Sequence, residues 1–407
     1  MRAGPSQEEI RRQNLGALLR YVHVHGATSR AELTSALGLN RSTIGALTAE
    51  LAAARLVSER APRETGRAGR PSLVVRPESA RVFAYAYSIE SDRLRAARVG
   101  LGGVVLDRRQ AARPPGAPPL ECLPLLAGLR KEMHQSVAED AIHVGSGVAV
   151  SGRPRRPDAA GRQSPGPVPD RPDRDAVDDG GGSGSEAALE VALGEVLSPD
   201  RPILVSNAAD ASVVAEHVRG AAVGCDTVIY LHQDGGIEAG IIVHGQRLTG
   251  RGGHAGEVGH MVVQPGGRPC RCGSSGCWET EISEHALLHA AGRGGSAGRD
   301  ATLRVIDAAS WGDAGAQAAV CQVGDWLGFG VANLVNIFNP DAIIFGGTLR
   351  EVYLAAAARV RSRLNVMALP AAREQVRLRT PQLGEDAVLI GAAELAFGPL
   401  LADPLDR

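Results

Sequence analysis

The sequence predicts a small helical module with a β-wing, followed by a larger α/β body. Three observations support this division. At 407 residues the chain is longer than one hydrophobic core usually supports. Residues 1–76 carry 12 Arg against 6 Asp and Glu, whereas the remainder is acidic. After about residue 80, strand and helix patterns alternate in a composition rich in Ala, Val and Gly, which is typical of α/β domains.

The basic N-terminal part has the pattern of three helices. Apolar residues recur at helical spacing over 8–25, and Gly26 follows them as a stop. Ser29 begins a capping box, and Asn40 can cap a third helix after a short Gly turn. Two short helices around such a turn are typical of a helix-turn-helix, whose second helix enters the DNA major groove. The residues that this helix leaves outward near its N-terminus are Arg41, Ser42, Thr43 and Gly45.

A Gly- and Arg-rich loop at 65–71 lies between two apolar segments, 56–57 and 73–75. We interpret the segments as strands and the loop as a wing, from which Arg67 and Arg70 can reach a minor groove or its phosphates. The predicted partner is therefore double-stranded DNA. A three-helix protein-interaction module with a solvated Arg loop remains the alternative.

The body alternates strand and helix signals along the chain. One stretch, 153–185, is rich in Pro, Asp, Arg and Gly without apolar periodicity, and we expect a flexible excursion there. No segment has the apolar length of a signal peptide or a membrane span, so we expect a cytoplasmic protein. The predicted strands are 83–89, 94–99, 141–150, 203–205, 228–231 and 241–243.

Three of the six cysteines, Cys270, Cys272 and Cys277, fall within eight positions, among several glycines. Zn²⁺ prefers four tetrahedral nitrogen and sulfur ligands, and His260 is the natural fourth. We predict a closed structural zinc site, because four protein ligands leave no position for a catalytic water. The alternative is a chance cluster of thiols beside an ordinary loop histidine.

These residues resemble the ROK family of repressors, open reading frames and kinases. The resemblance rests on Gly-Glu-Val-Gly-His at 256–260, followed by Cys-x-Cys-Gly-x-x-Gly-Cys-x-Glu at 270–279. It implies an N-terminal winged helix-turn-helix and an actin-like, ribonuclease-H-like sugar-kinase fold of two α/β lobes. It places the domains at 1–76, 80–202 and 203–386, with a C-terminal helix at about 387–400 returning to the first lobe. The sugar-binding residues implied by the resemblance are Gly152, Asn207, Glu257, His260 and Glu279.

The sequence departs from the family's kinases at three places. The catalytic Asp of the kinases corresponds to Ala208, and a methyl group cannot accept a proton. The first phosphate loop reads Ser-Ile-Glu at 88–90 instead of Asp-x-Gly. The second carries Asp234 and Glu238, whose carboxylates we expect to repel phosphates. The resemblance thus implies a non-enzymatic repressor of carbohydrate-related genes, a homodimer or homotetramer, modulated by a sugar. The alternatives are an ATP-dependent sugar kinase and a ligand-independent regulator with a decayed pocket.

Overall fold

A computed structural model describes residues 6–61, 72–114, 116–152, 183–251, 255–295 and 298–406. The N-terminal module begins with three helices, and Ser29 and Asn40 cap the second and third. Of the capping box predicted at Ser29, the described residues show the bond to the serine hydroxyl but not the return bond from the Glu32 carboxylate. Ser29 Oγ accepts a hydrogen bond from Glu32 N at 3.1 Å, and Asn40 Oδ1 accepts one from Thr43 N at 2.8 Å. These bonds satisfy backbone donors that a helix start leaves free. The helices are α1 (Gln7–His25), α2 (Arg30–Leu37) and α3 (Arg41–Ala53).

A three-stranded antiparallel sheet completes this module. Its order is β1-β3-β2, with β1 at Thr28–Ser29, β2 at Val57–Arg60 and β3 at Val74–Pro77. The β2–β3 pair is the hairpin that the sequence predicts around the Gly- and Arg-rich loop. Arg67 and Arg70 lie outside the described residues, so the loop tip itself remains a prediction.

The first lobe contains a five-stranded sheet of order β6-β5-β4-β7-β8. β4, β5 and β6 are antiparallel, whereas β7 and β8 run parallel to β4. Residues 203–207 thus pair with the first-lobe sheet, whereas the sequence analysis assigned them to the second lobe. The apolar residues of β8 predict a strand, but they do not specify which sheet that strand joins. The strands are β4 (Val82–Ile89), β5 (Arg93–Gly100), β6 (Val104–Ala112), β7 (Ile142–Val150) and β8 (Ile203–Asn207).

Two helices, α4 (Leu123–His134) and α5 (Ser183–Leu197), pack on one face of the first-lobe sheet. Helix α5 begins at Ser183, so the last three residues of the excursion expected at 153–185 are helical. Residues 153–182 lie outside the described part of the chain.

The second lobe repeats the arrangement with sheet order β11-β10-β9-β12-β13. Among the described residues one helix, α10, is long and apolar enough to cross a membrane, but it packs inside this lobe's core. The strands are β9 (Val228–Gln233), β10 (Ile237–Val243), β11 (Gln246–Arg247), β12 (Ala342–Gly347) and β13 (Arg377–Arg379). The helices are α7 (Glu279–Ile282), α8 (Glu284–Ala290), α9 (Arg299–Ser310), α10 (Ala314–Phe338), α11 (Leu349–Met367) and α12 (Pro370–Arg373).

Two further helices connect the parts. Helix α6 (Ala208–Arg219) directly follows β8 and packs against β9 and β10 of the second lobe. Helix α13 (Ala387–Ala402) packs against α6, β4 and β7, which is where the resemblance placed the C-terminal helix. Helix α1 also contacts α13, so the N-terminal module and the first lobe share one hydrophobic cluster.

Candidate metal centre and ligand cleft

The four predicted metal ligands lie together. The ligand atoms of His260, Cys270, Cys272 and Cys277 all fall within 4.8 Å of one another. Cys272 Sγ lies 3.6 Å from Cys277 Sγ, and Cys270 Sγ lies 3.6 Å from His260 Nδ1. With bond lengths of about 2.3 Å to sulfur and 2.0–2.1 Å to nitrogen, a tetrahedral zinc requires separations of roughly 3.8 and 3.6 Å. The donor set and its spacing therefore fit a Zn²⁺ ion.

Backbone turns bring these ligands together. Cys270 N donates to Ser274 O at 2.8 Å, which closes the turn containing Cys272. Gly276 O accepts from Val263 N at 2.9 Å, which joins the segment that follows His260 to the one that carries Cys277. Gly276 has a φ of +75°, and a Cβ there would lie 1.7 Å from Gln264 O. Only glycine permits this approach.

The thiols need a cation to become ligands. Burial raises the pKa of Cys270, and it also raises the pKa of Cys277. A bound metal favours the thiolate form of both, because metal ligation releases their protons.

Glu279 lies beside this centre and lines a cavity of the second lobe. Its Oε1 accepts from Cys270 Sγ at 3.0 Å and lies 3.7 Å from His260 Nδ1. Arg271 Nε lies 3.5 Å from Glu279 Oε1, and the guanidinium group of Arg271 lies beside Gly236. Arg271 was not among the predicted site residues, although it stands between two predicted metal ligands, Cys270 and Cys272.

Strand β10 contacts both the first lobe and the segment that leads to the metal centre. Glu238 Oε1 accepts a hydrogen bond from Gly152 N at 2.7 Å. Ala239 N donates to Gly256 O at 3.1 Å, next to Glu257. Among the predicted sugar ligands, the structure thus brings Gly152 to one end of β10 and the segment of Glu257 and His260 to its side. Glu238, considered in the sequence only as a phosphate-repelling charge, is a contact between the lobes.

Asn207 lies at the end of β8, paired in register with Val150 of β7 and therefore near Gly152. It caps α6, because its Oδ1 accepts from Ala209 N at 2.7 Å. Its Nδ2 is buried and has no hydrogen-bond partner among the described residues. An amide nitrogen without a partner can donate a hydrogen bond to a ligand.

Ala208 is the first residue of α6 and is fully buried. The position at which the resemblance places the catalytic Asp of the kinases thus carries a buried methyl group at the start of a helix. Asp210, two residues later, is also buried, on the same helix.

The carboxylates in the two phosphate-loop positions are engaged by protein groups. Glu90 accepts from Arg93 Nε at 2.7 Å and from Arg95 Nε at 2.6 Å. Asp234 accepts from Ser91 N at 3.0 Å across the cleft. The cavity beside them has a volume of about 180 Å³, below the roughly 300–1,000 Å³ typical of sites for drug-sized ligands. The backbone donor Ser91 N and the side chains of Arg93 and Arg95 are thus engaged by the protein's own carboxylates.

The predicted DNA-facing residues of α3 lie at its N-terminus. Arg41 and Ser42 are exposed, while Thr43 and Gly45 are partly buried. Ser42 Oγ donates to Asn40 Oδ1 at 2.7 Å, so this hydroxyl also supports the helix cap.

Relatives of known name include both repressors and kinases. The chain is 32% identical over 208 residues to a glucokinase of Halalkalibacterium halodurans, covering 48% of this chain and 63% of that protein. It is 32% identical over 196 residues to the xylose repressor of Bacillus spizizenii, covering 48% and 50%. It is 34% identical over 196 residues to the N-acetylglucosamine repressor of Escherichia coli O157:H7, covering 46% and 48%. The matched region thus spans about half to two thirds of these relatives' lengths.

Solved structures share the fold. A ROK family transcriptional regulator, a homologue of the Escherichia coli MLC protein, superimposes with a TM-score of 0.72 at 24% identity and covers 98% of both chains. A ROK family glucokinase from Streptomyces griseus, solved with glucose and AMPPNP, gives a TM-score of 0.60 at 25% identity, covering 77% of this chain and 98% of that one. The two-lobed actin-like fold of the body is therefore confirmed. Residues 133–398 match the model of the ROK family, and the chain belongs to that family.

Proposed function

We propose that this protein is a transcriptional repressor that binds DNA through its N-terminal module and responds to a sugar or sugar derivative. The observation that carries the proposal is the N-terminus of α3, where Arg41 and Ser42 are exposed beside a β2–β3 hairpin. This arrangement suits insertion of α3 into a major groove. Two copies of the module in a dimer would read a palindrome, and Arg67 and Arg70 would contact the flanking DNA.

The metal centre would shape the effector site. A Zn²⁺ ion bound by His260 Nδ1 and the three thiolates would fix the histidine ring and leave Nε2 for a sugar hydroxyl. Glu279 and Asn207 Nδ2 would accept and donate further hydrogen bonds, which suits vicinal hydroxyl groups. Relatives named as repressors of xylose and N-acetylglucosamine genes support a carbohydrate effector.

We infer that the body transfers no phosphoryl group. Ala208 provides no general base, and the carboxylates of Glu90 and Asp234 are held by Arg93, Arg95 and Ser91. Without a general base at position 208, and with carboxylates in both phosphate-loop positions, the cleft lacks features that phosphoryl transfer requires.

The test is selection of genomic DNA fragments by the intact protein, repeated with xylose, N-acetylglucosamine and glucose. We expect a small set of palindromic fragments, and at least one sugar that reduces their enrichment. Enrichment that no sugar changes would support a ligand-independent regulator instead. No enrichment of any fragment would refute the proposed function.

A further inference from the structure

A buried polar contact joins the N-terminal module to the body. His23 of α1 and Glu394 of α13 are almost completely buried, with exposed fractions of 1% and 9%. His23 Nε2 lies 2.8 Å from Glu394 Oε2, and Arg219 Nε donates to Glu394 Oε1 at 2.6 Å. Helices α1, α13 and α6 therefore meet at one carboxylate. We call His23, Arg219 and Glu394 the junction triad.

The hydrogen bonds around His23 fix its protonation. Gly102 N donates to His23 Nδ1 at 2.9 Å, so Nδ1 carries no proton and the ring proton is on Nε2. The neutral ring thus donates to Glu394, while the charge of Glu394 is balanced by Arg219. Both oxygens of Glu394 and both ring nitrogens of His23 thus have hydrogen-bond partners, which favours one geometry of this contact.

The packing around the triad is equally close. A side chain at Gly16 would place its Cβ 2.7 Å from Leu401 O, so the backbones of α1 and α13 touch. Arg219 also donates to Val24 O at 3.4 Å, near the end of α1. The N-terminal module is therefore docked on the body by both apolar and polar contacts.

The other end of α6 lies at the candidate effector site. Asn207 caps the helix there, and Gly240 of β10 packs against Ala209 O so closely that no Cβ would fit. The 12 residues of α6 span about 18 Å. Near the C-terminal end, Glu216 accepts from Ala221 N and Leu383 N, which ties α6 to the segment that leads into α13. A displacement of Asn207 would thus be carried along a rigid helix to Arg219.

We propose that the junction triad couples the effector cleft to the orientation of the DNA-binding module, with α6 as the connecting element. This inference rests on the proposed function and names the route by which the cleft controls DNA binding. A ligand that displaces Asn207 also displaces Arg219 relative to Glu394 and Val24, which loosens the contact of α1 with the body. His23, Arg219 and Glu394 are positioning residues, because they touch neither effector nor DNA.

The test is hydrogen–deuterium exchange of the full-length protein, measured for α1, α10 and the remaining segments. Glu394→Gln keeps the shape of the side chain but removes the negative charge to which Arg219 and His23 both donate hydrogen bonds. We expect exchange within α1 to rise by about tenfold while α10 is unchanged. The matched control is Glu281→Gln, which alters another buried carboxylate, bound to Arg268 Nη2 at 2.7 Å, in the second lobe. This control should leave α1 unchanged.

A double-mutant cycle tests transmission along α6. Positions this far apart normally contribute additively. Asn207→Ala should alter exchange in α1 when Glu394 is present and should have no such effect in the Glu394→Gln background. Additive effects, or unchanged exchange of α1 in Glu394→Gln, would overturn the proposal. If Glu394→Gln does not fold, His23→Gln perturbs the same contact from the α1 side and is measured in the same way.

These readouts need no DNA and no effector. A failed selection of genomic fragments would refute the proposed function without changing the exchange result. If exchange of α1 is unchanged in Glu394→Gln while a sugar still alters DNA binding, the proposed role of the junction triad is refuted and the proposed function is not.

Discussion

Two glycines of the metal loop give a sharp test of how the site is built. Gly276 and Gly273 both have positive φ, +75° and +87°, so replacing either with Ala incurs similar backbone strain, about 1–3 kcal/mol. A Cβ at Gly276 would lie 1.7 Å from Gln264 O, whereas at Gly273 it meets no described atom within 4 Å. Gly276→Ala and Gly273→Ala are therefore a matched pair that differs mainly in this clash.

The clash has a predictable cost. Gln264 O would have to retreat by roughly 1.3 Å to reach a tolerable contact in a close-packed interior. That shift disrupts the hydrogen bonds that Gly276 O accepts from Val263 N and Gln264 N, each worth about 1 kcal/mol. Gly276→Ala should therefore lose about 2 kcal/mol more unfolding free energy than Gly273→Ala. It should also displace Cys277, whose side chain is fully buried beside this turn.

The assay combines metal content per chain with urea unfolding. We expect Gly273→Ala to retain one zinc per chain and Gly276→Ala to bind substoichiometric zinc. Equal zinc content and equal unfolding free energy in the two variants would refute the argument that this turn positions the ligand.

Three further predictions concern the metal, the base and the junction. Cys272→Ser should lose stoichiometric zinc and unfold at lower urea, because metal binding adds to the folding free energy; full zinc retention would show that the ligand set is wrong. Ala208→Asp should not produce ADP from ATP and glucose, because Glu90 and Asp234 stay bound to protein donors; turnover at about 1–100 s⁻¹, as in kinases, would contradict this. Burial alone would raise the pKa of Glu394, but His23 and Arg219 outweigh it and hold that pKa below its ordinary value. The stabilisation from this carboxylate should be complete above about pH 4.3 and lost as the pH falls through its lower folded-state pKa. The difference in unfolding free energy between the native protein and Glu394→Gln should shrink accordingly, and a constant difference down to about pH 3 would argue against the ion pair.

The local elements could be predicted because their causes are local. Ser29 and Asn40 cap helices through side-chain oxygens that bond backbone groups three residues away. The metal ligands are also recognisable from the sequence, since three of them are separated by only a few residues and glycines allow the turns between them.

Contacts between distant segments could not be predicted in the same way. Whether β8 pairs with β7 or begins the second lobe depends on sheet register, which its short apolar run does not encode. The bonds from Ser91 to Asp234 and from Gly152 to Glu238 join residues 143 and 86 positions apart. The charges at 234 and 238 were evident in the sequence, but their partners were not. In the structure these two carboxylates accept hydrogen bonds from the first lobe, Asp234 from Ser91 N and Glu238 from Gly152 N.

Contact between the N-terminus of α3 and DNA is tested most directly by a salt titration of binding to a fragment recovered by genomic selection. Binding is measured by fluorescence anisotropy for the native protein, Arg41→Ala and Arg55→Ala. Arg55 is the control, because it is an exposed arginine just beyond the other end of α3. Arg41→Ala should bind more weakly and lower the slope of log affinity against log salt by about one, while Arg55→Ala matches the native protein. An unchanged affinity and slope for Arg41→Ala would contradict the account.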